Sequence, residues 1–371
     1  MINMEPKKIV DLPQELITEI LLRLPVKILL RFRCVSKSWN SLISDDSHFA
    51  TSHFQLSANK IFIIRDDTLV ALSVDFDSSL NDYVSLSLNI WNPQSYIDDE
   101  IDTRIGGSCR GFLFIHNEVG LYLLNPSTRV HKQIPVSPMT IASYSQDSSI
   151  YRIIYGFGYD SSTDDYSVVL GFYNCNTNLL DFEIFSLRSN NWKQIVVGSH
   201  FPYILTAYHE SEVGLFFNAS IHWLIYNYET NREVIIAFHL KEMRMSEIAL
   251  PDDFHMYSSV SGYDLFVFGG LIGVWIEDIY EIKIRVMKEY AVYSSWTETV
   301  SFSARPNPTF SSVCFTNCGD LVGSSGGGLA KFNDKGELLE ERSYPDCFFE
   351  RSQMTVYTES LLSLPDSSDQ S

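Results

Sequence analysis

From about residue 58 to residue 360, short apolar runs alternate with clusters of Gly, Asn, Asp and Ser, as in KIFIIRDDTLVALSV, YGFGYDSSTDDYSVVLGFY and VGLFFNASIHWLIYN. Runs this short, rich in Val, Ile, Phe and Tyr and punctuated by turn formers, read as strands joined by tight hairpins. Helical periodicity is nearly absent after residue 60. A strand, a turn and an outward polar strand recur at LNPSTRVHKQIP, FSLRSNNWKQI, FHLKEMRMSEIAL, EYAVYSSWTETVSF and KFNDKGELLEERSYP. Their starts fall roughly 40 to 60 residues apart, the length of a four-stranded propeller blade. About 300 residues at ~45–50 per blade predict a six- or seven-bladed β-propeller, with a large sandwich as the alternative. The strand QMTVYTESLL, close to the C-terminus, is expected to pair with an early strand and fasten the ring.

The first fifty residues differ in texture. Leu16, Ile20 and Leu24 recur every fourth residue, with Ile17 and Leu21 widening the stripe, and predict a helix that Pro25 ends or bends. Asp11 is placed to cap it, with Pro13 in the first turn. A second stripe, Ile28, Phe32, Val35, Trp39 and Leu42, predicts another helix, and Ser44–Ser47 closes the module. The predicted class is therefore mainly β: a small helical module over residues 6–52 and an all-β domain over 58–360. Residues 361–371, ending SLPDSSDQS, read as a disordered tail.

The chain of 371 residues has a formal charge of −19, unevenly divided. Residues 1–44 hold seven Lys or Arg and four acids, leaving 20 basic and 42 acidic residues, a net of −22, for the rest. Seven cations, several set between apolar positions, are a thin basis for phosphate binding, so a protein partner is expected and nucleic acid is not. Six cysteines without a CxxC or dense spacing fit a reducing compartment, and the N-terminus shows no apolar signal region. The longest uncharged apolar run is too short to span a bilayer, so no membrane is expected and the location reads as cytoplasm or nucleus. The sequon at Asn218 is then a coincidence of spacing.

No motif points to catalysis or to a cofactor. Gly323-Ser324-Ser325-Gly326-Gly327 matches a nucleophile elbow in letters, but strand, turn and strand are predicted to follow it, and the last histidine, His255, lies upstream. The same stretch lacks the Lys-Ser/Thr of a phosphate-binding loop. Cys314 and Cys318 have no second pair for zinc, and no acidic run has a calcium-loop pattern. The residues therefore predict neither an enzyme nor a metal or cofactor site. Two short helices with apolar residues on more than one side must instead be covered, by the chain's own β domain or by another protein.

The segment DLPQELITEILLRLPVKILLRFRCVSKSWNSLI resembles an F-box. Its marks are Leu12-Pro13, Glu15, Ile20-Leu21, Leu24-Pro25, Leu30-Arg31 and Cys34 to Trp39. The downstream chain resembles the F-box-associated domain of plant F-box proteins, through Gly107 to Phe112, Leu124 to Arg129, Tyr155 to Asp160, DDYSVV, FSLRSNNWK and ASIHWL. It lacks the Gly-Gly signatures of kelch repeats. The resemblance implies a kelch-like propeller and a substrate-recognition subunit of a ubiquitin ligase. The Skp-type adaptor and cullin would be its partners, and its target is unidentified. Adaptor contacts are expected from Leu12, Pro13, Leu16, Ile20, Leu21, Leu24, Pro25, Val35 and Trp39. Target contacts are expected on loops at 142–150, 159–165, 199–211 and 251–261, with Tyr144, Tyr151, Phe201, Tyr203, Tyr208 and Tyr257 as anchors. A propeller enzyme and a scaffold working outside the ligase are the alternatives.

Overall fold

The computed structural model describes residues 12–65, 70–88, 103–145, 150–196, 201–204, 212–251, 262–277, 282–302, 311–325, 328–344 and 352–365. The chain opens with four helices: α1 (Gln14–Leu21), α2 (Val26–Phe32), α3 (Lys37–Ser44) and α4 (Ser47–Leu56). Pro13 and Pro25 occupy the positions just before α1 and α2, where a missing N–H costs nothing. The proposed cap Asp11 lies outside the described residues. The stripe from Ile28 to Leu42 is not one helix. The extended Ser36 accepts the Trp39 N–H on Oγ at 3.1 Å and starts a new one. Asp46 does the same for Phe49 at 2.8 Å, so the Ser44–Ser47 segment begins α4 rather than closing the module.

Leu21, Val26, Leu29, Ile43, Phe49 and Ala50 form the core of this module. The break at Pro25 leaves the Leu24 carbonyl without a helical donor. His53, buried in α4, supplies one: its Nε2 donates to that carbonyl at 2.8 Å.

The strands that follow form six radial sheets. Blade 1 contains β1 (Asn59–Arg65), β2 (Val70–Val74) and β3 (Tyr83–Ser87), and blade 2 contains β4 (Arg104–Cys109), β5 (Phe112–Asn117), β6 (Gly120–Leu124) and β7 (His131–Ile134). After α5 (Pro138–Ser145), blade 3 runs β8 (Tyr151–Asp160), β9 (Asp165–Asn174), β10 (Leu179–Ser186) and β11 (Asn191–Val196). Blade 4 has a divided inner strand, β12 (Tyr203–Ile204) and β13 (Leu215–Phe217), both paired to β14 (Ser220–Asn227), then β15 (Arg232–His239) and β16 (Arg244–Ala249). Blade 5 is β17 (Gly262–Phe268), β18 (Leu271–Glu277), β19 (Ile282–Met287) and β20 (Trp296–Phe302). Blade 6 is β21 (Ser311–Phe315), β22 (Leu321–Ser325), β23 (Gly328–Phe332) and β24 (Leu338–Ser343). The last strand, β25 (Ser352–Thr358), returns to blade 1 and pairs antiparallel with β1 from Asn59↔Thr358 to Arg65↔Ser352. The propeller is six-bladed and closed by its C-terminal strand.

The apolar runs look continuous in sequence because both faces of each blade are covered. Alternate residues of β1 divide between two neighbours: Phe62 and Ile64 pack toward blade 2, Ile61 and Ile63 toward blade 6. Six such apolar clusters, one between each adjacent pair of blades, make up the core. Inner strands come close enough to require glycine. At Gly107 (φ +152°) an added Cβ would sit 2.9 Å from Phe157 Cβ of the next blade. The Asn-rich clusters are the turns: Asn178, Asn190 and Asn231 hold positive φ, as Asn tolerates. Asn218 and Ala219 of the sequon both have positive φ and form the two-residue hairpin between β13 and β14. The elbow-like Ser324 and Ser325 are buried in β22, followed by strand β23 as predicted.

Closure is reinforced beyond β25. Glu340 of blade 6 accepts from Ser79 Oγ (2.7 Å), Leu80 N (3.1 Å) and Asn81 Nδ2 (2.9 Å) of blade 1. Asp77 accepts both the backbone N (2.7 Å) and Nδ2 (2.8 Å) of Asn317 in blade 6.

The tail is not disordered as far as Pro365. Leu361 is 8% exposed and belongs to the core of the helical module, while Leu362 and Leu364 pack on the apolar cluster between blades 2 and 3. The sequence SLLSLP reads as low-complexity only because its leucines have no partners nearby in the chain. Arg110, in the β4–β5 turn, adds a second tie. Its guanidinium lies 4.0 Å from the Tyr159 ring centroid and 5.8 Å from that of Phe54 in α4.

Two histidines, one fully buried and one partly buried, give the fold a pH limit. His222 donates from Nδ1 to the Leu215 carbonyl (3.2 Å) and accepts the Tyr290 hydroxyl on Nε2 (2.8 Å), linking blades 4 and 5. Burial lowers its pKa to about 4. His116, stacked on Tyr155 at 3.8 Å, is lowered to about 3 by burial and then by the Arg104 charge. Both folded values lie below the unfolded value near 6.5, so the unfolded chain binds protons that the native chain refuses. Stability is retained above pH 6.5 and is lost as pH falls toward these values. Between pH 6 and 5, urea midpoints should report a loss of roughly 2 to 3 kcal/mol per pH unit, and His222→Gln should remove about half of that slope. A stability flat over this range in the parent chain would contradict the assignment.

Candidate functional site

The helical module carries an apolar surface that stays exposed among the described residues. Leu12, Leu16 and Ile20 recur at four-residue spacing and are 56%, 51% and 52% exposed. Val35, in the turn between α2 and α3, is 60% exposed. On the inward side of the same helix, Ile17 and Leu21 pack into the module core, so α1 is apolar on two sides. The module's exposed charges are mixed: Arg23, Lys27, Arg31, Arg33 and Lys37 against Glu15, Glu19, Asp45 and Asp46, with Arg23 and Glu19 3.9 Å apart. An exposed apolar stripe edged by charged side chains suits a protein partner.

Not every residue expected at this surface reaches it. Leu21 is 1% exposed in the module core, because it lies one residue round the helix from Ile20. It shapes the surface without contributing area. Leu24 and Trp39 are half-buried, with Trp39 against Phe32 at a centroid distance of 5.5 Å. Pro13 and Pro25 are exposed.

The propeller divides into two unlike faces. The inner strands β25, β4 and β8 end on the same side, where Gly111 meets Ser360 and Arg110 meets Tyr159 and Phe54. That side carries the helices together with the turns between first and second, and third and fourth, strands of each blade. The strand ends from which the connections between blades leave, and the described turns between second and third strands, lie on the opposite side. The turn at 161–164 therefore sits on the helix-bearing face, and the expected target loop 159–165 does not belong with the others. Its Tyr159 is engaged with Arg110, and Tyr159 Oη donates to Asp164 at 2.6 Å.

The remaining expected anchors that are described stand in or beside the inter-blade connections of the far face. Phe201 is only 3% exposed, packed between Tyr173 (6.2 Å) and Tyr203 (4.8 Å), and serves the core between blades 3 and 4. An aromatic in a loop was read as available, but the divided inner strand of blade 4 needs it as filling. Tyr203 is partly buried, and its hydroxyl donates to Glu247 at 2.7 Å. Tyr151 is partly buried at the start of β8. Tyr144 lies in α5, and Tyr208 and Tyr257 lie outside the described residues. Exposed apolar side chains that the sequence reading missed stand beside these connections: Leu179 (38%) at the start of β10 and Tyr228 (41%) in the β14–β15 turn. Both occupy short hairpins, which loop length in the sequence does not single out.

Comparison with known proteins decides what the two parts are. Residues 9–50 match the F-box domain family, and residues 60–323 match the F-box associated beta propeller domain family. This chain belongs to the F-box-associated β-propeller family. It is 25% identical over 316 residues to an F-box/kelch-repeat protein of Arabidopsis thaliana, covering 78% of this chain and 79% of the relative. It is 29% identical over 313 residues to the F-box protein CPR1 of the same plant, covering 77% and 72%. The exposed stripe is thus on the F-box and the far face on the F-box-associated propeller. An F-box joined to such a propeller, in a family of F-box proteins, supports a substrate-receptor role in ubiquitin ligation, the role of an adaptor between a target and the enzyme.

Proposed function

We propose that this protein is the substrate receptor of an SKP–cullin–F-box ubiquitin ligase. Its F-box binds the Skp-type adaptor, and through it the cullin, while the far face of the propeller holds a target protein for ubiquitination. The observation that carries the reading is the arrangement of the two surfaces. The uncovered apolar stripe sits on a module packed against one face of a closed ring, and the long inter-blade connections all leave from the other. Such a receptor supplies no chemistry of its own. It raises the rate by holding the target lysine at high effective concentration near the conjugating enzyme.

The far face also favours a kind of target. Its inter-blade connections carry in sequence Asp98, Asp99, Glu100, Asp102, Asp147, Asp252, Asp253, Asp346 and Glu350, against Arg305 and Arg351. A target with a basic surface fits that balance, with association slowed by salt. The deciding experiment is affinity capture of the full chain from plant cells, with and without proteasome inhibition. Adaptor and cullin should copurify in both samples, and a target should accumulate with the inhibitor. Capture of the adaptor without cullin would favour a scaffold outside the ligase, and capture of neither would remove the reading.

A further inference from the structure

The F-box of this chain has a core that its own sequence does not complete. Leu361, more than 300 residues away, fills the cluster formed by Leu21, Val26, Leu29, Ile43, Phe49 and Ala50. The geometry points to a C-terminal strap, residues 359–365, that makes a competent F-box conditional on a closed propeller. Coupling between the two parts is then built into the fold, and recruitment of the ligase depends on the last residues of the chain. The consequence for ligase recruitment rests on the receptor reading above; the coupling itself does not.

The strap follows β25 without a break, so it is positioned only when β25 has taken its place beside β1. Its first residue is fixed by the Glu359 N–H donating to the Ala58 carbonyl (3.1 Å) and by a half-screened ion pair between Glu359 and Lys60 (3.0 Å). The buried Ser360 receives two constraints from blade 2. Its carbonyl accepts Asn125 Nδ2 at 3.0 Å, and its N–H donates to Ser127 Oγ at 3.2 Å. Asn125 is itself fully buried and uses Oδ1 to accept the N–H groups of Ser127 and Thr128 (2.9 and 3.2 Å). Gly111 allows the close approach: a Cβ there would sit 2.2 Å from Ser360 Cβ. Leu362 packs on both the F-box core and the cluster between blades 2 and 3, and Lys132 Nζ donates to the Pro365 carbonyl at 3.4 Å. One side of the strap is thus held by the propeller, and the other delivers a leucine into the helices.

A chain is made from its N-terminus, so the four helices emerge first, with their core one leucine short. They receive it only after all six blades are made and β25 has closed the ring. Unfinished or C-terminally clipped receptors would carry a loosened F-box and would compete poorly for the adaptor.

Two variants of the full chain separate this from a passive tail. Leu361→Ala leaves a cavity in the F-box core, and a buried leucine truncated in this way should speed amide exchange in α1 to α3 roughly thirtyfold or more. Asn125→Asp keeps the turn-capping oxygen but removes the donor to Ser360, releasing the strap from the propeller side without touching the helices. Amides of β9 and β15 serve as the internal reference. Faster exchange in α1 to α3 in both variants, with the reference strands unchanged, is the expected result. Affinity for a purified Skp-type adaptor should fall alongside. Helix protection equal to the parent in Leu361→Ala overturns the proposal. Should that variant unfold globally, unchanged helix protection in Asn125→Asp overturns it instead. A parent chain that shows the exchange effect in its variants but no affinity for the adaptor would sink the receptor reading and leave the coupling standing.

Discussion

A chain that stops at residue 350 should lose its cooperative melting transition. Such a chain lacks β25, which pairs with β1 over seven residues and brings Tyr357 into the core between blades 1 and 2. Tyr357 is 3% exposed, its hydroxyl is 2.7 Å from Ser73 Oγ, and its ring packs edge-on to Phe62 at 6.3 Å. Losing one buried aromatic of this size typically costs about 3–5 kcal/mol. Losing the whole strand also uncovers β1 and both flanking clusters, which exceeds a usual domain stability of about 5–15 kcal/mol. Removing residues 366–371 alone should leave the midpoint within about 2 °C, less than a change of 1 kcal/mol produces in a domain of this size. Calorimetry on the two truncations measures both. A two-state transition in the 350-residue chain near the parent midpoint would mean that Glu340 and Asp77 hold blade 6 to blade 1 without help.

Leu16→Ala and Ile20→Ala together should weaken adaptor binding far more than they weaken the F-box. Both side chains are about half exposed on the stripe, so truncation removes interface anchors without opening the module core. Central apolar anchors lose about 2 kcal/mol each, roughly thirtyfold in affinity per residue and more than a hundredfold for the pair. Leu21→Ala should do the reverse in the first instance. It opens a cavity in the module and costs about 2–5 kcal/mol of local stability, with loss of adaptor binding following from the loosened helices. Titration calorimetry with the adaptor, beside exchange of the α1 to α3 amides, separates the two classes. Undiminished affinity in the double variant would place the adaptor elsewhere on the module.

The hairpin texture and the recurrence of polar outer strands were enough to anticipate a ring of blades, and the closing strand was visible as QMTVYTESLL. The blade number was not, because the divided inner strand of blade 4 and the stretch 89–102 blur the repeat. The F-box motif located the apolar stripe but could not sort it. Ile20 and Leu21 are equally apolar neighbours, and only the position of α2 and α4 buries one and exposes the other. The spacing Ile28, Phe32, Val35, Trp39, Leu42 looked like one helix because Ser36 is compatible with a helix until its hydroxyl finds the Trp39 N–H. Loop aromatics were treated alike, yet Phe201 turned inward and Tyr228 outward. Such assignments depend on partners distant in sequence, as does the role of Leu361.

The LNPSTR motif illustrates how a family signature can be read physically. Asn125 is fully buried and has both ends engaged, one inside its own turn and one on the strap. The turn that carries the motif lies on the helix-bearing side. The motif serves the join between F-box and propeller.

Both ends of the ordered chain leave from the helix-bearing side, and that bears on how the protein can be labelled. Pro365 is held at Lys132, and the six residues after it can reach at most about 20 Å. A fluorescent protein or biotin ligase fused after Ser371 would therefore hang on the F-box side of the propeller, marking proteins bound to the F-box more readily than any bound to the far face. A reporter meant for the target belongs on the other face. The β5–β6 turn at Glu118 and Val119 is a suitable insertion point there, since it is a short exposed hairpin remote from both the closing strand and the strap.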